Sequence, residues 1–371
     1  MKVCHMTSAH GAEDIRIFHK ECVSLAQAGH EVILVERGDS YEKNGVRIVG
    51  VGEIPGGRLK RMTQGAKRVY QAALETDADL YHFHDPELLP YALKLKRAGK
   101  KVIFDSHEYT RMQILTRDYL PRWAAKIVSA LYGLYEDRAV RKLDGVIFPC
   151  PMSGKFPFRC RRTLYLDNYP RLEELYDKYD PDAQKEAGTL CLIGSLTYVR
   201  GVQHLLRAVD RAGCRALVGG KIVPASFADQ LQQTPGYERT SFLGVLNREE
   251  VLSVLRKVQI GVSAPLNIGQ YDATDNLSTK CCEYMSMGLP VILTRHAFNE
   301  RMLAQYRFGI CVDPENTEEY ASAIRTLLDD PELARRMGEN GRKLIREQLN
   351  WEAQMPKLLA LYAEVEKGSA T

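Results

Sequence analysis

The sequence predicts an α/β protein of two Rossmann-like, doubly wound domains facing each other across a cleft. Three observations carry this. Short apolar runs alternate with helical patterns along the whole chain, which is the signature of βαβ units and parallel sheets. The alternation stops near residue 170 and restarts near residue 189. The 371 residues exceed what one core usually supports.

The first half opens with the apolar run Lys2 to Met6 and a helical stretch from about Asp14 to Ala28, closed by Gly29 in the C-terminal position that glycine favours. Further strands are expected at Glu31–Val35, Leu80–Phe83, Val102–Phe104 and Gly145–Phe148. The second half begins with the strand Thr189–Ile193, then Gly194-Ser195 and a helix from about Val202 to Ala212. Strands are expected again at Ala216–Val218, Ser241–Leu243, Ile260–Val262 and Val291–Leu293. Pro170 to Gly188, polar and poor in apolar anchors, reads as the linker. The expected domains are residues 1–170, completed by a C-terminal helix at 352–371, and residues 171–351. Ligands of such sheets bind beyond the carboxyl ends of the strands, so functional residues should follow strands.

Composition narrows the class. The chain has 51 Lys+Arg and 47 Asp+Glu, a net charge of +4, too small to point to nucleic acid. No apolar run approaches the roughly 20 residues that span a bilayer, and the N-terminus has no secretory pattern. The nine cysteines are scattered without a C-x-x-C pair, which argues against a zinc site or a disulfide framework. A reducing cytoplasm is the expected location. The first strand is followed by Thr7-Ser8-Ala9-His10-Gly11, which lacks the G-x-G-x-x-G of a nicotinamide dehydrogenase.

The most informative segment is Asp275 to Ile292, read as loop, helix, glycine cap and a strand led by Pro290. Asp275 precedes the helix, Ser278 and Thr279 lie in its first turn, and Glu283 lies one turn on. A helix start offers unpaired backbone N–H groups and a positive dipole end, which suit a phosphate. Lys280 adds a point charge for the same anion. Ionised carboxylates only accept hydrogen bonds, so Asp275 and Glu283 suit sugar hydroxyls. The competing structural reading is an N-cap Asp with a surface Glu.

This segment resembles the signature of the family 4 retaining glycosyltransferases, two acids separated by seven residues and followed by E-Y-M-x-x-G-x-P-V-I, with Asp275 where the family usually has Glu. Asp14-Ile15-Arg16-Ile17-Phe18, Leu25 and Gly29-His30-Glu31-Val32 are similar to the family's opening, and His82-Phe83-His84-Asp85 with Phe104-Asp105-Ser106-His107-Glu108 resembles its bacterial polysaccharide-assembly branch. The resemblance implies the GT-B fold. It implies that Glu283 binds the donor's ribose, that Asp275 holds hydroxyls of the transferred sugar, and that the backbone of Leu277, Ser278 and Thr279 cradles the diphosphate. The family's basic pair after the first strand of the second domain falls on Gly194 to Gly201, where Arg200 fills the second position and Ser195 stands in the first, leaving Lys280 or Arg16 to compensate. His107 would contact the donor sugar.

The resulting assignment places His107, Asp275, Arg200 and Lys280 at the reacting centre and Gly194, Ser195, Leu277, Ser278, Thr279 and Glu283 on the donor. Gly11, Asp14, Arg16 and His84 fall on the acceptor side, Asp14 also reading as a helix cap. The expected reaction moves a sugar, with retention, from a nucleotide-diphosphate donor (UDP favoured) to a cell-surface glycan or lipid-linked oligosaccharide. The donor is a substrate, so no cofactor is expected, and no D-x-D metal pair ends a strand. A sugar-nucleotide 2-epimerase and a non-catalytic nucleotide-sugar-binding protein are the alternatives.

One further pattern concerns membranes. From Tyr119 to Tyr135, Trp123, Ile127, Leu131, Leu134 and Tyr135 share a helical stripe, with Arg117, Arg122, Lys126, Arg138, Arg141 and Lys142 around it. Arg58, Lys60, Arg61, Lys67 and Arg68 form a basic cluster without acids, and Lys94 to Lys101 adds another. The segments 58–68 and 117–142 therefore suit an anionic membrane surface on the inner face of the cell membrane. The competing reading is a helix packed on its own domain.

Overall fold

The computed structural model describes residues 1–107, 110–115, 121–152 and 157–368, leaving aside the side chains of Arg58 and Gln270. Glu108, Arg117 and Tyr119 lie outside the described residues, as does the start of the 117–142 segment. The chain forms two compact units, Met1–Asn168 with Gln354–Thr371, and Tyr169–Ala353.

The first unit is an eight-stranded sheet of β1 (Lys2–Met6), β2 (Glu31–Glu36), β3 (Tyr41–Lys43), β4 (Val46–Gly50), β5 (Leu80–Phe83), β6 (Lys101–Asp105), β7 (Gly145–Phe148) and β8 (Thr163–Tyr165), in the order β3-β4-β2-β1-β5-β6-β7-β8. All pairings are parallel except β3 with β4. β1, β5 and β6 are buried along nearly their whole length because helices cover both faces, which explains their unbroken apolar character. Strand order reverses at β1, between β2 and β5. The loops after β1 and β5 therefore border the switch-point crevice of this sheet.

The second unit is a six-stranded parallel sheet of β9 (Thr189–Ile193), β10 (Arg215–Gly219), β11 (Thr240–Phe242), β12 (Ile260–Ser263), β13 (Val291–Thr294) and β14 (Gly309–Val312), in the order β11-β10-β9-β12-β13-β14. Its switch point lies between β9 and β12. The helix Thr279–Ser286 feeds β13 through Gly288, whose φ of 67° is the left-handed conformation that ends helices.

One expectation needs correction. Residues 170–188 are not a loose linker. Leu175 is fully buried, and Tyr176 and Tyr179 each hold the Arg342 guanidinium 3.9 Å from their ring centroids, so the segment packs as part of the second unit. Its anchors are aromatic and basic rather than aliphatic, so a search for aliphatic periodicity passes over them. The last helix, Trp351–Glu366, starts in the second unit and ends in the first, where Leu358, Leu361, Tyr362 and Val365 are buried. All nine cysteines are free thiols.

Candidate functional site

The second unit gathers charge at its switch point. Ser278 is the N-cap of the Thr279–Ser286 helix. Its hydroxyl accepts from the Cys281 N–H at 3.2 Å and meets Ser263 Oγ, at the end of β12, at 2.8 Å. The cap is thus Ser278 rather than Asp275. Asp275 is half-buried in the segment leading to the helix. Leu277 turns its side chain into the core and leaves only backbone for a ligand. Thr279 is the first helical residue.

Glu283 is not a surface residue. It is 5 % exposed, and its Oε1 accepts from Arg248 at 2.7 Å while Lys280 Nζ lies 3.1 Å from its Oε2. Arg248 also reaches Glu174 at 2.8 Å. A carboxylate this buried survives only with such partners, and they hold it in one orientation. Nothing in the sequence marked Arg248, an ordinary first-turn residue of the helix Arg248–Lys257.

Tyr284, the next residue, fixes the helix to the sheet. The Ile193 N–H donates to its hydroxyl at 2.9 Å. A Cβ on Gly261 of β12 would collide with its ring, so glycine is what lets the ring pass. β9 then ends at Gly194, whose φ of 141° favours glycine. A side chain there would approach the stem of Lys280, which runs 3.6 Å from the position of a Cβ. Gly220, at a φ of 145°, has no room for a Cβ because Gly194 O occupies the space.

A niche between the ends of β9 and β12 results, lined by Gly194, Ser195, Arg200, Ser263 and Lys280 among others. It holds about 20 Å³, room for one small group. Arg200 stacks over Tyr271 at 5.1 Å. Ser195 is exposed and supplies no charge, so the positive charge among the described lining residues comes from Arg200 and Lys280. Gly194, Ser195, Arg200 and Lys280, which the family resemblance implies together, line this one niche.

The first unit carries a second polar cluster. His5 of β1 pairs in register with His82 of β5, and His84 follows two residues on. His5 Nδ1 and His84 Nε2 are 3.0 Å apart, and the Tyr362 hydroxyl bridges His82 Nδ1 at 2.7 Å and His5 Nε2 at 3.2 Å. Arg16 binds Asp105 with two hydrogen bonds, 2.7 and 2.9 Å, and donates to Leu166 O at 3.1 Å. Burial alone would raise the Asp105 carboxyl, but Arg16 and His107 outweigh it and hold it well below the usual carboxylate range. Burial and the charge of Asp105 push the neighbouring Glu21 carboxyl well above its ordinary value. Burial keeps His5 and His82 well below the usual imidazole range, and lowers His84. The cluster is therefore one negative charge against one guanidinium, wrapped in neutral imidazoles. Ligand atoms of His5, Glu21, His82 and His84 lie within 4.8 Å of one another, as do those of His84, Asp105 and His107, sets whose composition could hold a metal ion.

This changes the reading of the acceptor-side residues. Arg16 is 4 % exposed and fully engaged inside its own unit, so it positions Asp105 rather than meeting a phosphate. Asp14 Oδ1 caps its helix, accepting from the Arg16 and Ile17 N–H groups at 2.8 and 2.9 Å. Burial works against its ionisation, yet His10 and those amides hold the carboxyl below its ordinary value. His84 is buried within the cluster, and Gly11 is exposed. His107 follows β6 as expected, with Nδ1 3.4 Å from Asp105 Oδ2, and its Nε2 has no hydrogen-bond partner among the described residues. Among the neighbours that sequence reasoning passed over, His5 and Tyr362 had no motif to mark them. A histidine inside a buried strand was the available signal.

Two family descriptions match the chain, Glycosyltransferase Family 4 over residues 16–156 and Glycosyl transferases group 1 over residues 177–344. The chain is similar to an alpha-D-kanosaminyltransferase of Streptomyces kanamyceticus, 25% identical over 223 residues that cover 56% of this chain and 55% of that protein. It spans about half or less of the length of the curated relatives it matches. Sucrose-phosphate synthase from Thermosynechococcus elongatus superposes with a TM-score of 0.76 at 17% identity, over 99% of this chain and 100% of that one. Anabaena HepE, solved in complex with UDP, gives 0.69 at 12% identity, over 98% and 99%. These likenesses share the two-domain GT-B fold. With both halves matched by glycosyltransferase descriptions and the signature helix built around a buried Glu283, the chain belongs to the family 4 glycosyltransferases.

Proposed function

We propose that the protein is a retaining glycosyltransferase that moves a sugar from a nucleotide-diphosphate donor to a glycan or lipid-linked saccharide. The observation that carries this is the convergence of Gly194, Arg200, Lys280 and the Ser278-capped helix at the switch point of the second unit. The donor diphosphate sits against the helix start, where the dipole and two cations offset its charge. Glu283, held by Arg248, accepts from the ribose hydroxyls, and Asp275 from the transferred sugar. UDP is the favoured nucleotide, in keeping with the UDP bound to HepE, which has the same fold.

In the reaction the bond from the sugar's anomeric carbon to the phosphate oxygen breaks. The acceptor oxygen bonds that carbon on the same face, and the departing diphosphate takes the acceptor's proton. Arg200 and Lys280 stabilise the charge as it develops. No side chain has to act as base.

Nuclear magnetic resonance of the product tests the reading. With a UDP-sugar donor the new bond should keep the donor's anomeric configuration; an inverted product would overturn the retaining mechanism. Glu283→Ala should lower kcat/KM at least about 100-fold by removing a buried charged acceptor, and turnover at the wild-type rate would remove the donor-site assignment.

A further inference from the structure

The first unit contains a groove of about 1020 Å³ that the donor chemistry does not use. One end is polar and built. Thr7 Oγ1 and the Ser8 and Ala9 N–H groups donate to Asp85 Oδ2 at 2.8, 2.6 and 3.1 Å, fixing the carboxylate at the switch point of the sheet. Its other oxygen, Oδ1, lies 3.5 Å from His10 Nε2 and accepts no hydrogen bond among the described residues, though the residue is only 1 % exposed. Ionised carboxylates accept hydrogen bonds, so this end suits a hydroxyl of a saccharide. Arg61, 3.4 Å from Glu87, stands beside it.

Most of the remaining wall is apolar. Ile54, Leu59, Met62, Ile114, Val128 and Tyr135 line it. Leu59 is 76 % exposed. Val128 and Tyr135 belong to the helix Arg122–Val140, and about a quarter turn round that helix stand Trp123, Ile127, Leu131 and Leu134, at spacings of four, four and three residues. These four are exposed, Trp123 by 70 % and Leu131 by 62 %. The helix buries its opposite face through Ala125, Gly133, Ala139 and Val140. The stripe is therefore not packed on its own domain. The helix's acids do not answer it either, since Arg111 binds Glu136 and Asp137, each at 2.6 Å. Arg122, Lys126 and Arg138 remain exposed around the stripe. A contiguous apolar face rimmed by cations is complementary to an anionic bilayer.

We propose that this groove takes the hydrocarbon chain of a lipid-linked saccharide acceptor, with the Trp123–Leu134 stripe seated in the bilayer from which that acceptor is drawn. The inference rests on the glycosyl-transfer reading and narrows its acceptor to the lipid-linked class. The sugar end lies at Asp85 and the chain leaves past Leu59 and Val128 toward the membrane.

The test uses two soluble probes and one vesicle. Calorimetric titration of octyl glucoside, below its micelle concentration, is compared with methyl glucoside. The octyl form should bind at least about 100-fold more tightly, from burial of its extra methylenes. Leu59→Ser with Val128→Ser, both at exposed positions, should abolish that advantage and leave the thermal shift produced by UDP unchanged. Sedimentation with phosphatidylglycerol-containing vesicles should capture the wild type and release Trp123→Ser/Leu131→Ser. Equal affinity for the two glucosides would overturn the groove, and so would an octyl advantage that survives both serine substitutions. Vesicle binding indifferent to Trp123 and Leu131 would overturn the seating of the helix. Loss of the UDP shift in the wild type would instead strike the donor reading and leave the groove result standing.

Discussion

His82 shows how one residue's environment sets a property of the whole chain. It is buried on β5, bonded to Tyr362, with Glu21 Oε2 3.8 Å away, the ring of His84 stacked on it and that of His5 tilted against it. Its folded-state pKa lies below the unfolded value of 6.5, as do those of His5 and His84. Below pH 6.5 the unfolded chain gains these protons and the folded chain does not, so stability is present above that pH and is lost as pH falls. Glu21, raised above 4.5, acts oppositely and offsets one of the three between 4.5 and its own folded value. With three lowered imidazoles against one raised carboxyl, the cluster loses stability as pH falls from 6.5 toward 5. Urea unfolding followed from pH 7 to 5 should show it. His82→Gln should reduce the slope by about one proton, and an unchanged slope would contradict the neutral-imidazole account. At the same scale, Asp85 and Glu283 show the limit of sequence reading. Both stand in legible motifs, but their anchors, Thr7, Ser8 and Arg248, come from distant segments with no mark of their own.

Elements were legible where burial was complete. The strands of the central sheets read as apolar runs because both faces are covered, and the structure extends several by a residue at either end, β6 to Lys101–Asp105 for example. β3 and β4 were missed although Asn44-Gly45 lies between them, both residues at positive φ as a tight hairpin requires. Three residues of an exposed edge strand give no periodicity. β8, of three residues, and β14, of four, are also short and only partly buried. The meeting of the loops after β9 and β10 makes its own prediction. Gly220→Ala forces a Cβ against Gly194 O at a φ that side chains avoid. It should cost at least about 2 kcal/mol in unfolding free energy and weaken UDP binding through the displaced Gly194. A variant with wild-type stability would mean the two loops are not as close as described.

At the scale of the molecule, each of the two sheets puts its polar groups at the reversal of strand order, Asp85 beside β1 in the first and Lys280 between β9 and β12 in the second. The doubly wound architecture and the restart near residue 189 followed from alternation alone, whereas the packing of residues 170–188 depended on Tyr–Arg stacking that alternation does not reveal. The central claim is that the helix start at Ser278, with Arg200 and Lys280, grips a diphosphate. Calorimetric titration of UDP against uridine tests it most directly. UDP should bind at least about 100-fold more tightly than uridine, and Lys280→Ala should remove about tenfold of that advantage, the worth of one charge-assisted contact. Equal affinities for UDP and uridine, or a UDP advantage indifferent to Lys280, would contradict the account.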